Sequence, residues 1–551
     1  MPVDVTIRPA PAAAQRFRAA GVWRDSGLMS DLRRWRDRTP HATAVMAYRA
    51  DGAARSITYT ELASQVERFA GALYELGVRP GQVVACQLPN WWQTHALHLA
   101  TTRLQAVLTP ITMTIRPLEL QRMLHRVGAR LCITVDEWEG FGHAEALRAI
   151  AATLPELRHR VVIGDTTNGD VDFRSAFEQT RWEVRHPVSL DDAAEDPDRV
   201  AMVLFTSGTS GEPKGALHTQ NTLYASASSV SQAHDFGPSD VRFTPHALMH
   251  TVGQDTARSA LIAGASVVLL DAWSGQRGLQ VLADSAATGL VAAPSFVYDM
   301  LAATEGAPVH LPALRTLRCV GAAIPSPLIE AVPATFGALL LSGWGSTEIG
   351  TGAVTRSDDP PNWVAQSDGR AINGMELDIR SDTEVTDQRP GRLFARGGAV
   401  CLATTGRDTG GVNITADHDD GWYDTGDLAV PDGRGGIRLT GRVCDRTGGV
   451  FVIPTRDVAS ELLTNPRVDD VAMVSYPDAD GSESPCAVIV PATAPPITLD
   501  ELRLHLASQG IAVRNLPTRL EYVESLPRNR KGKVRTELLR RWLMGLASLL
   551  D

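Results

Sequence analysis

Lysine is nearly absent from this chain of 551 residues. The 53 basic residues include only three lysines, Lys214, Lys531 and Lys533, and all the others are arginine. A lysine carries a compact point charge that a planar guanidinium cannot replace at every site. We therefore expect the three lysines to stand where such a charge is needed. All three lie within motifs described below.

Cysteine is also scarce, and long apolar runs are lacking. The six cysteines include no CxxC pair, which gives no support for a zinc site or a disulfide framework. The longest apolar stretches, such as Leu261 to Leu270, are too short to span a bilayer. The N-terminal residues show no basic region followed by an apolar run, as a signal peptide would. We expect a cytoplasmic protein without membrane association.

The chain also has no excess of positive charge, since its formal net charge is −10 at pH 7. A chain with this charge is not generally attracted to nucleic acid or to an anionic membrane. An anionic substrate must then be held by local basic groups and backbone amides. The length exceeds that of one ordinary hydrophobic core, so we expect two or more domains, in a monomer or a homodimer.

Helical and strand patterns alternate along the first part of the chain. Apolar residues from Tyr59 to Leu76 recur at helical spacing after a predicted Thr60 cap, and Trp92 to Leu104 shows a similar pattern. Short apolar runs typical of buried strands lie at 83–88, 106–108, 161–163, 202–205, 266–270 and 339–341. This alternation predicts an α/β fold of layered, largely parallel sheets.

The later part of the chain has a different character. Residues 368–440 combine short strands with frequent glycine and aspartate, which predicts a β-rich subdomain at the end of a large domain over 1–440. A hinge at 441–446 and a small, mobile C-terminal α+β domain at 447–551 are expected to follow.

The strongest local signal is the segment from Leu204 to Gly215, where a strand runs into a loop of hydroxyl residues, glycines and one lysine. Glycines let backbone N–H groups turn inward and hydroxyls add donors without bulk, which suits triphosphate oxygens. Lys214 stands between proline and glycine, so the loop is not a P-loop. The predicted phosphate-binding residues are Thr206, Ser207, Gly208, Thr209, Ser210 and Lys214. The alternative is a flexible Ser/Gly linker.

This loop resembles the phosphate loop of the adenylate-forming superfamily, which includes acyl-CoA synthetases, aryl-CoA ligases, luciferases and peptide-synthetase adenylation domains. The family pattern, [ST]-[ST]-G-[ST]-[ST]-G-x-P-K-G, is matched at every position by residues 206–215. The resemblance covers about Gly21 to Trp542, and it is nearest to cyclohexanecarboxylate- and benzoate-type acid–CoA ligases. It implies that ATP and Mg²⁺ bind at the interface between the two domains.

A second matching motif runs from Gly343 to Glu348. The resemblance implies that Trp344 lies against the adenine, that Thr347 contacts the α-phosphate, and that Glu348 holds Mg²⁺ together with Thr209. A carboxylate beside a triphosphate is unfavourable without a cation, which supports a metal there. The resemblance also adds Gly343, Gly345, Ser346, Gly321 and Ala322 to the nucleotide site. Taken alone, the segment could equally be a loop with a surface glutamate.

The third and fourth motifs are Gly421 to Asp427 and Gly441 to Asp445. By resemblance, Asp427 accepts hydrogen bonds from the ribose hydroxyls, a task that suits a fixed carboxylate. Arg442 would also reach the ribose, and Asp445 would be the pivot between the domains. Asp424 is expected to be a turn residue.

The fifth motif, Leu526 to Val534, resembles the family pattern L-P-R-x-x-x-G-K and places the catalytic lysine at Lys533. An ammonium delivered to the α-phosphate would stabilise the charge that develops during in-line displacement. Basic runs are usually solvated faces, and we interpret Arg530 and Lys531 in that way.

The acid-binding side is predicted from the segment Pro245 to Gly253 and from 320–323. By resemblance, His250 gates or orients the acid, so the expected catalytic residues are Lys533, Thr347 and His250. The predicted substrate pocket comprises His250, Val252, Ala322 and Ala323. The small alanines leave volume for a bulky acid. Asp255 and Arg258, one helical turn apart, are expected to form an ion pair, with contact to a polar substrate group as the alternative.

The motif order breaks after Asp445, where Gly448 and Gly449 arrive early, and Asn515 replaces a basic residue of the family. Both positions belong by resemblance to the thioester-forming step. These changes count against the CoA step. The overall resemblance still makes a carboxylate–CoA ligase for a cyclic, aromatic or medium-chain acid the leading hypothesis, using ATP, Mg²⁺ and possibly coenzyme A. The alternatives are an adenylating enzyme with another acceptor, such as a carrier protein or an amine, or a diazotase that activates nitrite for attack by an aromatic amine. An inactive nucleotide-binding paralogue is the non-enzymatic alternative.

Overall fold

The computed structural model describes residues 2–167, 169–186, 195–206, 214–387, 389–405, 411–442, 455–477, 483–509, 516–528 and 534–549. The strands are β1 Thr43–Tyr48, β2 Ala54–Thr58, β3 Val83–Gln87, β4 Val107–Pro110, β5 Leu131–Val135, β6 Glu137–Trp138, β7 Phe141–Gly142, β8 His159–Ile163, β9 Asp170–Asp172, β10 Val200–Thr206, β11 Lys214–Thr219, β12 Val241–Phe243, β13 Ser266–Leu270, β14 Gly289–Ala292, β15 Thr316–Val320, β16 Leu339–Ser346, β17 Gly350–Val354, β18 Arg370–Ala371, β19 Met375–Arg380, β20 Gly391–Gly397, β21 Ala403–Thr405, β22 Val412–Ile414, β23 Tyr423–Pro431, β24 Ile437–Arg442, β25 Val468–Pro477, β26 Glu483–Pro491 and β27 Arg519–Tyr522. The helices are α1 Pro11–Ala19, α2 Leu28–Arg38, α3 Tyr59–Glu75, α4 Trp92–Arg103, α5 Pro117–Val127, α6 His143–Ala151, α7 Trp182–Arg185, α8 Gln220–Ala233, α9 Thr251–Ala263, α10 Gly275–Asp284, α11 Pro294–Ala303, α12 Ser326–Phe336, α13 Thr455–Leu462, α14 Leu499–Ser508 and α15 Thr536–Leu543.

Two large sheets form the N-terminal part of the molecule. Their strand orders are β18-β17-β16-β15-β14-β12-β13-β1-β2 and β22-β21-β11-β10-β4-β3-β5-β8-β9. The central pairings of both sheets are parallel, and antiparallel strands are added at the edges. The predicted α/β fold of layered, largely parallel sheets is therefore confirmed.

The main hydrophobic core lies between the two large sheets. It joins apolar residues of β1 and β13 in one sheet to those of β3, β5 and β10 in the other through α3, α4 and α9. The N-cap of α3 is Thr58, two residues before the predicted cap Thr60. The backbone N–H of Glu61 donates to Thr58 Oγ1 at 3.2 Å, and the Thr58 N–H donates to the Glu61 carboxylate at 2.8 Å. This reciprocal pair satisfies two N–H groups at the helix start.

The segment 368–440 contributes to three sheets. Its strands β19, β20 and β23 form a four-stranded antiparallel sheet with β24, in the order β19-β20-β23-β24. In contrast, β18 extends the first large sheet, and β21 and β22 extend the second one, where β21 pairs with β11. The β-rich segment is thus joined to both large sheets, and this contact places β23 beside β11.

The C-terminal part is a small three-stranded sheet, β25-β26-β27, with helices α13 to α15 packed on it. It contacts the large domain at α12, where Ser326 Oγ and Ser460 Oγ are 2.8 Å apart. A large α/β domain followed by a small C-terminal domain agrees with the predicted fold class. Asp445 and most of the predicted hinge lie outside the described residues, so the boundary at 441–446 stays a prediction. No helix in the described ranges is long and apolar enough to cross a bilayer.

Candidate active site

The predicted phosphate loop is bounded by two paired strand ends. β10 ends at Thr206 and β11 begins at Lys214, and these two residues are register partners in an antiparallel pair. The structure therefore brings the two ends of the loop together. The loop residues between them, including Ser207, Gly208, Thr209 and Ser210, lie outside the described residues.

A phenol links the loop lysine to the predicted metal ligand. Lys214 Nζ donates to the hydroxyl oxygen of Tyr423 at 2.9 Å. Burial raises the pKa of Tyr423, and the nearby Glu348 carboxylate raises it further, partly through a hydrogen bond to the phenol. Tyr423 therefore stays neutral and lies between one cation and one anion. The sequence interpretation missed Tyr423, although it belongs to the motif that was assigned for Asp427.

The surroundings of Glu348 fit a magnesium ion that arrives with ATP. Among the residues that the structure describes, no cluster of three or more His, Cys, Asp or Glu side chains is arranged to hold a metal. Mg²⁺ is commonly bound by one or two carboxylates together with phosphate oxygens and water. One half-buried carboxylate beside the loop ends matches that pattern.

A buried histidine fixes the backbone of the second motif. His218 Nε2 donates to the carbonyl oxygen of Thr347 at 2.7 Å, and its Nδ1 accepts from Thr222 Oγ1 at 3.0 Å. Burial lowers the pKa of His218 to about 4, so the ring is neutral near pH 7. Thr347 Oγ1 also lies 3.4 Å from Thr251 Oγ1 at the start of α9. The strand that leaves the phosphate loop is thus joined directly to Thr347.

The tryptophan and aspartate of the nucleotide motifs are in contact. The Trp344 indole N–H donates to Asp427 Oδ2 at 2.9 Å, and both side chains are buried. Asp427 is also the register partner of Arg442 across β23 and β24. The structure therefore places the three residues predicted for adenine and ribose next to one another. Their roles toward the nucleotide stay predictions.

Asp424 was expected to be a turn residue, but the structure places it in a strand. It is inside β23, and Arg392 Nε donates to its Oδ1 at 2.8 Å from the neighbouring strand β20. The expectation was wrong because Asp424 pairs with Phe394 of β20 within the sheet. A cross-strand ion pair of this kind satisfies the carboxylate within the sheet.

The acid side of the site begins at the N-terminus of α9. His250 caps this helix, since its Nδ1 accepts from the Val252 N–H at 3.4 Å. The other predicted pocket residues, Ala322 and Ala323, follow Gly321 at the end of β15, and all three are exposed. Gly321 has a φ of +83°, and a Cβ placed on it would meet no atom within 4 Å, so the backbone there borders open space. These positions leave room for a ligand beside the nucleotide motifs.

The fifth motif is described only in part. Lys533 and the residues before it from 529 onward lie outside the described residues. Arg528, which opens the same motif, forms an ion pair with Asp470 at 2.6 Å within the C-terminal domain. The charges of both residues affect the pKa of Tyr298 on α11, so this part of the C-terminal domain lies near the large domain.

Comparisons with known proteins agree with this arrangement. A family model described as AMP-binding enzyme matches residues 32–403, and a model described as AMP-binding enzyme C-terminal domain matches residues 457–533. The chain is 29% identical over 550 residues to a medium-chain fatty-acid–CoA ligase of Escherichia coli (strain K12), covering 99% of this chain and 95% of that protein. It is 27% identical over 551 residues to a salicylyl-CoA synthase / salicylate adenylyltransferase of Streptomyces sp, covering 98% of each.

A solved structure shows the same fold. The anthranilate CoA ligase AuaEII, in complex with anthranoyl-AMP, matches with a TM-score of 0.82 at 23% identity, covering 95% of this chain and 99% of that chain. The resemblance to adenylate-forming enzymes is therefore confirmed. Because the first family model alone matches more than half of the chain, the chain belongs to the AMP-binding enzyme family, and it uses ATP with Mg²⁺.

Proposed function

We propose that this chain is a carboxylate–CoA ligase, which activates a cyclic, aromatic or medium-chain acid as its adenylate. The observation that carries the proposal is that Lys214, at the end of the predicted phosphate loop, is joined through Tyr423 to Glu348. The neighbouring residue, Thr347, is held by His218 further along the same strand β11. The names of the relatives support the choice of acceptor, since a medium-chain fatty-acid–CoA ligase and a salicylyl-CoA synthase are both similar over nearly the whole chain.

In the proposed first step, an acid oxygen attacks the α-phosphorus of ATP. The new O–P bond forms as the bond to pyrophosphate breaks, and negative charge is spread over the phosphate oxygens. Lys214 and Lys533 stabilise that charge, and Thr347 is held in place by His218. When bound, Mg²⁺ supplies further neutralisation of the phosphate oxygens, with Glu348 as its protein ligand.

The phenol of Tyr423 has a specific task in this proposal. In a direct ion pair, the charges of Lys214 and Glu348 would neutralise each other. A neutral phenol between them accepts from the ammonium and donates to the carboxylate, so each charged group keeps further capacity for hydrogen bonds. The loop lysine and the metal ligand are thereby preset at the site before nucleotide binds.

The second step distinguishes the candidate functions. In the proposed ligase, the C-terminal domain turns about Asp445 and withdraws Lys533. A CoA thiol then attacks the acyl carbon of the adenylate, and the C–S bond of the thioester forms as the bond to AMP breaks. The second candidate is a non-CoA acceptor, which the altered sequence around Gly448 and Gly449 favours. Its most specific form is a diazotase that activates nitrite for an aromatic amine.

The test measures AMP, pyrophosphate and product with a panel of acids, with and without CoA. Thioester formation that requires both acid and CoA supports the ligase. AMP formation without a thioester from any acid would exclude the ligase. AMP formation together with a diazonium chromophore from nitrite and an aminoarene would establish the diazotase. Lys533→Ala is expected to slow AMP formation by several orders of magnitude, and an unchanged rate would contradict the assigned mechanism.

A further inference from the structure

A strained turn directly precedes β23, the strand of the third motif. Asp419, Asp420 and Gly421 are consecutive and have φ values of +44°, +55° and +82°. Glycine adopts this left-handed conformation freely, whereas the two aspartates adopt it at a cost in conformational energy. The Trp422 N–H donates to the carbonyl oxygen of Asp419 at 3.0 Å and closes the turn. A strained turn persists where surrounding contacts hold it.

Two arginines from the neighbouring strands hold this turn. Arg380 at the end of β19 donates through Nη1 to the Asp419 carboxylate. Arg396 on β20 donates through Nη1 to the carbonyl oxygen of Asp420 at 3.5 Å and lies 3.6 Å from its carboxylate. The stem of Arg396 also packs on the turn, since a Cβ on Gly421 would lie 3.9 Å from Arg396 Cδ.

The same two arginines contact the indole of Trp422. The guanidinium carbon of Arg380 lies 5.1 Å from the ring centroid, and that of Arg396 lies 4.6 Å from it. Arg380 also lies over the ring of Phe394, at 4.1 Å from its centroid. A guanidinium at this distance is attracted to an aromatic ring. The turn is therefore held at its side chains, its backbone and the aromatic residue that follows it.

The charges around the two arginines show that they do not form an anion site. Besides the two aspartates of the turn, Arg380 pairs with Asp378 at 2.7 Å and Arg396 pairs with Glu376 at 2.8 Å. Two guanidinium groups thus face four carboxylates, and the cluster has an excess of negative charge. Such a cluster repels the phosphate groups of a nucleotide. Its contribution to the site must come from the turn that it fixes.

The position of Tyr423 depends on this turn. Tyr423 and Asp424 pair with β20, but the pairing of β23 with β20 is then interrupted until Leu428. Gly426, inside the interruption, has a φ of +72°. Within the described residues, β24 pairs with β23 only from Asp427 onward. The segment that carries the phenol is therefore a short piece of strand, which the interruption bounds on one side and the turn on the other.

We propose that Arg380 and Arg396 are positioning residues for the bound nucleotide. By fixing the turn, they hold the Tyr423 hydroxyl where it accepts from Lys214 Nζ at 2.9 Å and bridges to Glu348. A displaced phenol would leave the loop lysine without this fixed acceptor, and affinity for ATP would fall. The inference rests on the proposed function, in which the bridge prepares the site for ATP. It adds two residues that belong to none of the five sequence motifs.

The experiment measures the Kd of MgATP by isothermal titration calorimetry with the full-length protein and no acid substrate. The double variant Arg380→Met/Arg396→Met removes both guanidinium groups and keeps apolar stems of similar length. Its Kd should rise about three- to tenfold, the size expected for loss of one hydrogen bond. The matching double lysine variant should recover part of the affinity, because an ammonium keeps the ion pairs but not the planar contact with the indole.

A double-mutant cycle with Tyr423→Phe tests the route of the effect. When the hydroxyl is absent, removing both arginines should raise Kd by less than about twofold further, because no hydroxyl is left to position. Effects that multiply would overturn the inference, since the arginines would then act on ATP independently of Tyr423. An unchanged Kd in the double methionine variant would overturn it as well.

Arg438→Met is the matched control. Arg438 pairs with Asp387 at 2.6 Å in the same four-stranded sheet, opposite Val430 near the far end of β23. Its loss should lower Tm to an extent similar to that of the arginine variants without changing the Kd of MgATP. An equal loss of affinity in this control would reduce the two arginines to a general structural role and overturn the inference. The proposed function fails separately, by an absence of AMP formation with every acid, because the binding measurement needs no acid.

Discussion

His218 offers the sharpest test of how the site is held together. His218→Ala removes the donor to the Thr347 carbonyl at 2.7 Å and leaves a cavity where the ring was. Leaving that buried carbonyl without a donor costs about 1–3 kcal/mol, and the cavity brings the expected loss of stability to roughly 2–4 kcal/mol. Thr222 adds little to this loss, because its hydroxyl keeps a hydrogen bond to Thr219.

The kinetic consequence should exceed what a stability loss alone explains. A freed Thr347 no longer has a fixed position, and misplacement of a contacting group by about 1 Å can cost roughly 100-fold in rate. We expect kcat for pyrophosphate release to fall about 10- to 100-fold in folded His218→Ala, with partial rescue in His218→Gln, whose amide can donate to Thr347.

A second buried histidine provides the control. His143 is 1% exposed and its ring lies 3.3 Å from Gln87 Oε1, away from the site. His143→Ala should lose stability in chemical denaturation without a comparable fall in kcat. If both alanine variants lose stability but neither loses rate, the proposed link between β11 and Thr347 has no catalytic role.

Three further predictions follow from the same contacts. Because the pKa of His218 is lowered to about 4 from an ordinary value of 6.5, the unfolded chain takes up this proton first as pH falls. Between pH 6.5 and 4, this group should therefore lower the free energy of unfolding by about 1.4 kcal/mol for each pH unit of acidification. In His218→Gln, the slope of unfolding free energy against pH, measured by denaturation, should be smaller by that amount. Tyr423→Phe removes the acceptor of Lys214 and should raise KM for ATP about three- to tenfold in pyrophosphate release, with an unchanged KM arguing against the bridge. Trp344→Phe leaves Asp427 without its indole donor and should destabilise the protein by about 1–3 kcal/mol in denaturation, whereas a neutral effect would mean that another group replaces the donor.

Local sequence patterns predicted the elements of the large sheets well. The apolar run 266–270 is β13 and the run 83–88 contains β3, because a buried strand of a parallel sheet needs apolar residues on both faces. The helix from Trp92 also begins where the pattern placed it. The Thr60 cap was wrong because two threonines, Thr58 and Thr60, stand at the helix start, and only the first has Glu61 three residues later.

Local sequence patterns could not predict the contacts that hold the site together. Lys214 and Tyr423 are 209 residues apart, and His218 and Thr347 are 129 residues apart, so no local spacing joins them. The motifs named the segments that meet, but not the side chains that connect them. Asp255 and Arg258, an i, i+3 pair of opposite charges on α9, were expected to form an ion pair. The structure instead joins the Asp255 carboxylate to the hydroxyls of Ser226 and Thr351, which are distant in sequence.

Helix α9 is held against the second nucleotide motif at two points. Thr251 at its first turn meets Thr347, and Asp255 one turn later meets Thr351, so the same helix face follows the connection between β16 and β17. A helix with well-packed contacts at both points cannot shift at one without affecting the other. The spacing of these two contacts is therefore set by the backbone of one helix, and not by flexible side chains.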